Sequence, residues 1–60
     1  MTNLDWQINI ESTAASVAAK YGNDVAASVF RRYDAIDFED LSPFYYSEVF
    51  GDLMLIIEDG

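Results

Sequence analysis

The run Ser42-Pro43-Phe44-Tyr45-Tyr46-Ser47-Glu48-Val49-Phe50-Gly51-Asp52-Leu53-Met54-Leu55-Ile56-Ile57 decides the fold. Serine offers a side-chain oxygen to the free N–H groups of a helix start, and proline at the first helical position loses no hydrogen bond. The run therefore predicts a helix from Pro43 to about Ile57. At about 100° per residue, Tyr46, Val49, Phe50, Leu53 and Ile57 fall on one stripe, while Tyr45, Glu48, Asp52 and Asp59 fall on another side. An apolar stripe of that width has to be covered by other elements.

Towards the N-terminus two more helical patterns supply the cover. Val25, Val29, Phe30 and Tyr33 form one stripe, with Asn23 or Asp24 available as a cap. Arg31 and Arg32 point to solvent near the end of that helix, where positive charge suits its dipole. Before it, Ala14, Val17, Ala18 and Tyr21 recur at helical spacing, with Ser12 placed to cap the start and Gly22 to end it. Lys20-Tyr21-Gly22 and Arg32-Tyr33-Asp34 finish their helices in a similar way. Leu4, Trp6, Ile8 and Ile10 alternate with polar residues, the period of a half-buried strand. Residues 1–11 therefore read as an extended arm, able to pair with a second copy or with a target's sheet edge. Asp34 to Leu41 reads as an acidic connector with Ile36, Phe38 and Leu41 turned inward and Asp37, Glu39 and Asp40 wet. The expected fold is all-α: a small three-helix domain over residues 12–60, with an extended N-terminal arm over residues 1–11.

The length of 60 residues fits one domain. A chain of that size buries only about 60% of the surface its unfolded form exposes. Cysteine and histidine are absent, which removes disulfides, thiolate or imidazole metal sites and Cys/His nucleophiles. Asp37, Glu39 and Glu48 fall at positions 1, 3 and 12 of a calcium-loop spacing, but Leu41 and Ser42 stand where a ligand and a glycine are required. No metal or cofactor is expected. Paired carboxylates act as acid and base only when a pocket desolvates one of them, and so short a chain leaves little room for one, so an enzyme is not expected. The opening residues lack a basic segment followed by an apolar run, and the longest apolar run, Leu53 to Ile57, is far below the roughly 20 residues of a membrane span. A cytoplasmic protein is the expectation.

Charge carries the functional reading. Eleven Asp and Glu against three Lys and Arg give a net charge of −8, which repels nucleic acid and anionic membranes and attracts basic proteins. Asp34, Asp37, Glu39 and Asp40 lie in the connector, and Glu48 and Asp52 lie one turn apart on the last helix. Such a run is often only a solvated face, yet here the surface is almost single-signed, beyond the mixed signs that solubility needs. DNA presents about one negative charge per 1.7 Å of duplex axis, and carboxylates a turn apart form a coarser row of the same sign. Tyr45, beside Glu48 and Asp52, reads either as a packing residue or as an anchor for an arginine-rich cleft. Trp6 reads as a cap on the core.

Three segments, Val29-Phe30-Arg31-Arg32-Tyr33-Asp34-Ala35, Asp40-Leu41-Ser42-Pro43 and Tyr46-Ser47-Glu48-Val49-Phe50-Gly51-Asp52-Leu53, resemble small acidic proteins of bacterial mobile elements. Over about residues 12 to 57 the arrangement is similar to part of the ArdA antirestriction proteins, acidic DNA mimics that block restriction enzymes. Phage anti-CRISPR inhibitors share this size and setting, several of them occupying the arginine-lined DNA- or PAM-binding surface of the Cas9 nuclease. The resemblance implies a bacterial host cytoplasm and a basic DNA-binding protein, first of all Cas9, as the partner of Asp34, Asp37, Glu39, Asp40, Tyr45, Glu48 and Asp52. The alternative is a regulatory or structural interaction module of a mobile element, dimerising through the arm.

Overall fold

A computed structural model describes residues 2–59, and it is all-α. Helix α1 spans Asn3–Tyr21, α2 Asn23–Arg31 and α3 Tyr46–Asp59, with a single 3₁₀ turn, Pro43–Tyr45, leading into α3. Among the described residues there is no strand and no helix long and apolar enough to cross a membrane.

The extended arm expected over residues 1–11 is corrected by this structure: residues 3–11 are the first turns of α1. The helix starts at Thr2, whose side chain accepts from the Asp5 N–H at 3.1 Å while Asp5 Oδ2 accepts from the Thr2 N–H at 3.2 Å. This reciprocal capping box satisfies two donors that a helix start leaves free. Four alternating apolar residues are too few to tell period two from period 3.6. Trp6 and Ile10 are about 40° apart on a helix, as are Leu4 and Ile8, and the two pairs fall on nearly opposite sides. Ile10 is accordingly buried and Trp6 half-buried, while Leu4 and Ile8 are 63% and 58% exposed.

Ser12 is likewise no cap but a mid-helix residue. The neighbouring hydroxyls are satisfied without breaking the helix, Thr13 Oγ1 donating to the Asn9 carbonyl at 2.6 Å and Ser16 Oγ to the Ser12 carbonyl at 3.2 Å. Gly22 ends α1 as expected. Its N–H donates to the Ala18 carbonyl at 2.9 Å, and its φ of 105° and ψ of 153° are open to glycine and strained for other residues. The same residue precedes α2, where neither Asn23 nor Asp24 serves as the cap; both lie inside the helix, and no side chain caps it.

The end of α2 is a Schellman turn. The Ala35 N–H donates to the Phe30 carbonyl at 3.1 Å and the Asp34 N–H to the Arg31 carbonyl at 3.2 Å, with Asp34 at a positive φ of 60°. Ala35 is buried beside Phe30 in the core, which supplies the apolar contact this motif favours. Both helix ends that follow a tyrosine therefore close on a positive-φ residue, Gly22 and Asp34.

The core is shared by all three helices. Ile10 and Val17 from α1, Val29 from α2 and Val49 and Leu53 from α3 are fully buried. Phe38 and Leu41 of the connector turn inward as expected, but Ile36 does not: it is 81% exposed and the small Ala35 is buried in its place. The reason is the Schellman turn, which fixes where Ala35 points and sends its neighbour outward. Trp6 closes one end of the core, its ring 6.2 Å from Tyr46 and 6.1 Å from Phe50, the latter edge-to-face. Ser42 caps the 3₁₀ turn through its side chain with Pro43 next to it, and α3 runs on to Asp59, two residues beyond the expected end.

Candidate functional site

The seven residues singled out by charge and position separate into three groups. Asp37 and Asp40 are tied to the connector's own backbone: Asp37 Oδ1 accepts from the Asp40 N–H at 3.1 Å, and Asp40 Oδ2 accepts from the Ile36 N–H at 3.1 Å. Each carboxylate fixes a turn and remains exposed, so the connector holds its charges on a defined backbone. Asp34, at the αL position of the Schellman turn, presents its carboxylate next to this pair in sequence. Glu39 and Glu48 are exposed and make no side-chain hydrogen bond among the described residues.

Asp52 belongs to a different arrangement. Its Oδ2 accepts a 2.7 Å hydrogen bond from the Tyr33 hydroxyl and stands 3.5 Å from Arg32 Nη1, the one ion pair among the described residues. Asp52 is therefore not a free member of an acidic row, as its helical position suggested. Part of its charge is answered inside the molecule by the end of α2. The hydrogen bond to Asp52 holds the Tyr33 phenol above the ordinary value of 10.0; burial and the negative charges of Asp52 and Glu48 push the same way, and Arg32 opposes them.

Tyr45 joins this cluster as a packing residue. Its ring lies 5.0 Å from that of Tyr33 and is half-buried, while Tyr46, next to it, is buried and stacks on Phe38 at 4.9 Å. Phe44 meets Tyr45 edge-on at 5.2 Å and is 79% exposed. Charge-based reasoning missed Phe44, Arg32 and Tyr33. The signal for Phe44 lay in three consecutive aromatics after Ser42-Pro43, because one face of a turn cannot bury all three.

In chain order the acidic connector is followed by the exposed Phe44 ring and then by exposed Glu48 on α3. From Asp34 to the end of the chain there are eight carboxylates and no lysine or arginine. The described residues bring no three acidic side chains together as a metal-binding group. An open groove of about 350 Å³ lies between α1, α2 and the connector, with Asp37 in its lining. Comparison of the chain with protein families, with curated proteins and with solved structures found no match.

Proposed function

We propose that this protein is a non-enzymatic, stoichiometric inhibitor that binds a DNA-processing defence nuclease, with Cas9 of a CRISPR system as the first candidate. One observation carries the reading: the carboxylates of Asp34, Asp37, Glu39, Asp40 and Glu48 are all exposed on one stretch that holds no basic residue. Exposed carboxylates on such a stretch compete with DNA phosphates for lysines and arginines in a nucleic-acid cleft. Phe44 and Tyr45 add aromatic surface on which an arginine of the target can stack. In this reading the agent works inside a bacterial host cell and takes up no nucleic acid, membrane or cofactor.

The test is a DNA-binding and cleavage assay of purified Cas9 with guide RNA, with and without the protein, at low and at physiological salt. Loss of DNA binding that weakens as salt rises is the expected result. Intact DNA binding with lost cleavage keeps an inhibitor and moves its site on the nuclease, and no interaction at either salt sinks the Cas9 reading. Charge reversal is best placed at Glu39 and Glu48, which are exposed and make no side-chain hydrogen bond among the described residues, rather than at Asp52, where lysine would face Arg32 and leave Tyr33 without its acceptor.

A second reading, a regulatory interaction module of a mobile element that dimerises, draws on Leu4 and Ile8, exposed one turn apart on α1. Sedimentation equilibrium of the protein and of a Leu4→Ser, Ile8→Ser variant separates the two: a dimer lost in the variant favours the module. Trp6, half-buried against the core, reports on folding and does not discriminate.

A further inference from the structure

We propose that the groove between α1, α2 and the connector is a docking site for a basic amphipathic helix of a partner protein. Both helices line it with small side chains, Ala14 and Ala18 from α1 and Ala26 and Ala27 from α2, so an incoming side chain comes close to the helix axes. Phe30 and Phe38 add aromatic surface, and the space of about 350 Å³ is in the range that takes the apolar anchors of a bound segment. Ile36 stands at the lip, 81% exposed, held there by the hydrogen bond from its N–H to Asp40 Oδ2. The lip is therefore part of a fixed turn.

Charge selects the occupant. The charged residues lining the groove are Glu11 and Asp37, both carboxylates, and Glu39 and Asp40 follow Asp37 closely in the connector. A helix that sets leucine-sized side chains on the alanine floor and carries lysine or arginine along its flanks satisfies both the apolar floor and the acidic rim. A second copy of this chain is a poor occupant, because each copy brings a net charge of −8 to the contact. This docking does not depend on the target being a nuclease.

The experiment titrates the full ¹⁵N-labelled protein with a synthetic leucine–lysine amphipathic helix and, in parallel, with the same peptide carrying serine for leucine. Saturable binding is expected, with amide shifts concentrated at Ala14, Ala18, Ala27 and Ile36, and binding of the serine peptide about tenfold weaker or less. Ala15 lines the groove and Glu11 its rim, and both are exposed. Ala15→Lys and Glu11→Lys should therefore keep the native circular dichroism and each weaken the leucine–lysine peptide by about tenfold. Equal binding of the two peptides, or shifts centred on Glu48 and Asp52, would overturn the proposal. Peptide binding that persists when nuclease inhibition is absent supports the groove and fails only the inhibitor reading; inhibition without peptide binding fails only the groove.

Discussion

The Tyr33 hydroxyl donates a 2.7 Å hydrogen bond to Asp52 Oδ2, linking the turn that ends α2 to the middle of α3 across 19 residues of sequence. With Arg32 on the same carboxylate, it is the polar tie between two helices that otherwise meet through apolar contacts. Tyr33→Phe keeps the ring against Tyr45 and removes only this bond. Its expected cost is about 1 kcal/mol, since the bond is only partly buried, read as a lower urea midpoint with an unchanged slope.

The same bond makes stability depend on alkaline pH. Because the folded state raises the Tyr33 pKa above 10.0, the folded protein holds this proton more tightly than the unfolded chain does. The contribution is fully present below pH of about 10 and is lost as pH rises through the folded value. Denaturation midpoints measured from neutral pH upward should fall in that alkaline window, and Tyr33→Phe should show a smaller fall. A midpoint that rises there would contradict the geometry.

Helix α1 gives the sharpest test of the fold. Ile10 is fully buried and Trp6 packs on Tyr46 and Phe50, so removing residues 2–9 should unfold the domain rather than trim a free arm. Ile10→Ala alone is expected to cost about 2–4 kcal/mol, comparable to the roughly 3–5 kcal/mol that a core of this size supplies. Circular dichroism reads both variants and Trp6 fluorescence the Ile10→Ala one; a truncated chain that stays helical with native stability would refute the packing.

Two glycines should respond in opposite directions although a Cβ would meet nothing within 4 Å at either. At Gly22 the φ of 105° makes Gly22→Ala costly by about 1–3 kcal/mol through backbone strain alone. Gly51 lies inside α3 and is exposed, so Gly51→Ala should stabilise by about 0.5–1 kcal/mol. Thermal melts of both variants check the pair.

Asp34 allows charge to be removed without loss of fold. Its φ of 60° is one that glycine adopts freely, so Asp34→Gly should leave stability equal or slightly raised. Any weakening of partner binding in that variant then measures the carboxylate. Asp37 and Asp40 do not offer this, because their side chains hold the connector's turns.

By itself the sequence determined that the chain is helical, that Ser42-Pro43 marks the entry to the last helix, that Gly22 closes the first, and that Val29, Phe30, Tyr46, Val49 and Leu53 face inward. These are local matters: caps, positive φ and a repeat long enough to tell 3.6 from other periods. Leu4 to Ile10 is too short a run for that, so its reading as an arm failed; the Thr2–Asp5 capping box starts a helix there, and burial of Ile10 and packing of Trp6 on α3 hold it to the core. The acidic character of the surface is likewise a matter of composition, legible without coordinates. Which carboxylates remain available was decided by tertiary structure, because Asp52 meets Tyr33 and Arg32 only when α2 and α3 pack together. Ile36 was turned outward by the closure of α2 at Asp34, and the alanine-floored groove beside it exists only where α1, α2 and the connector come together. Contacts between residues far apart in the chain are set by how helices pack, and a single sequence records their periodicity but not their partners.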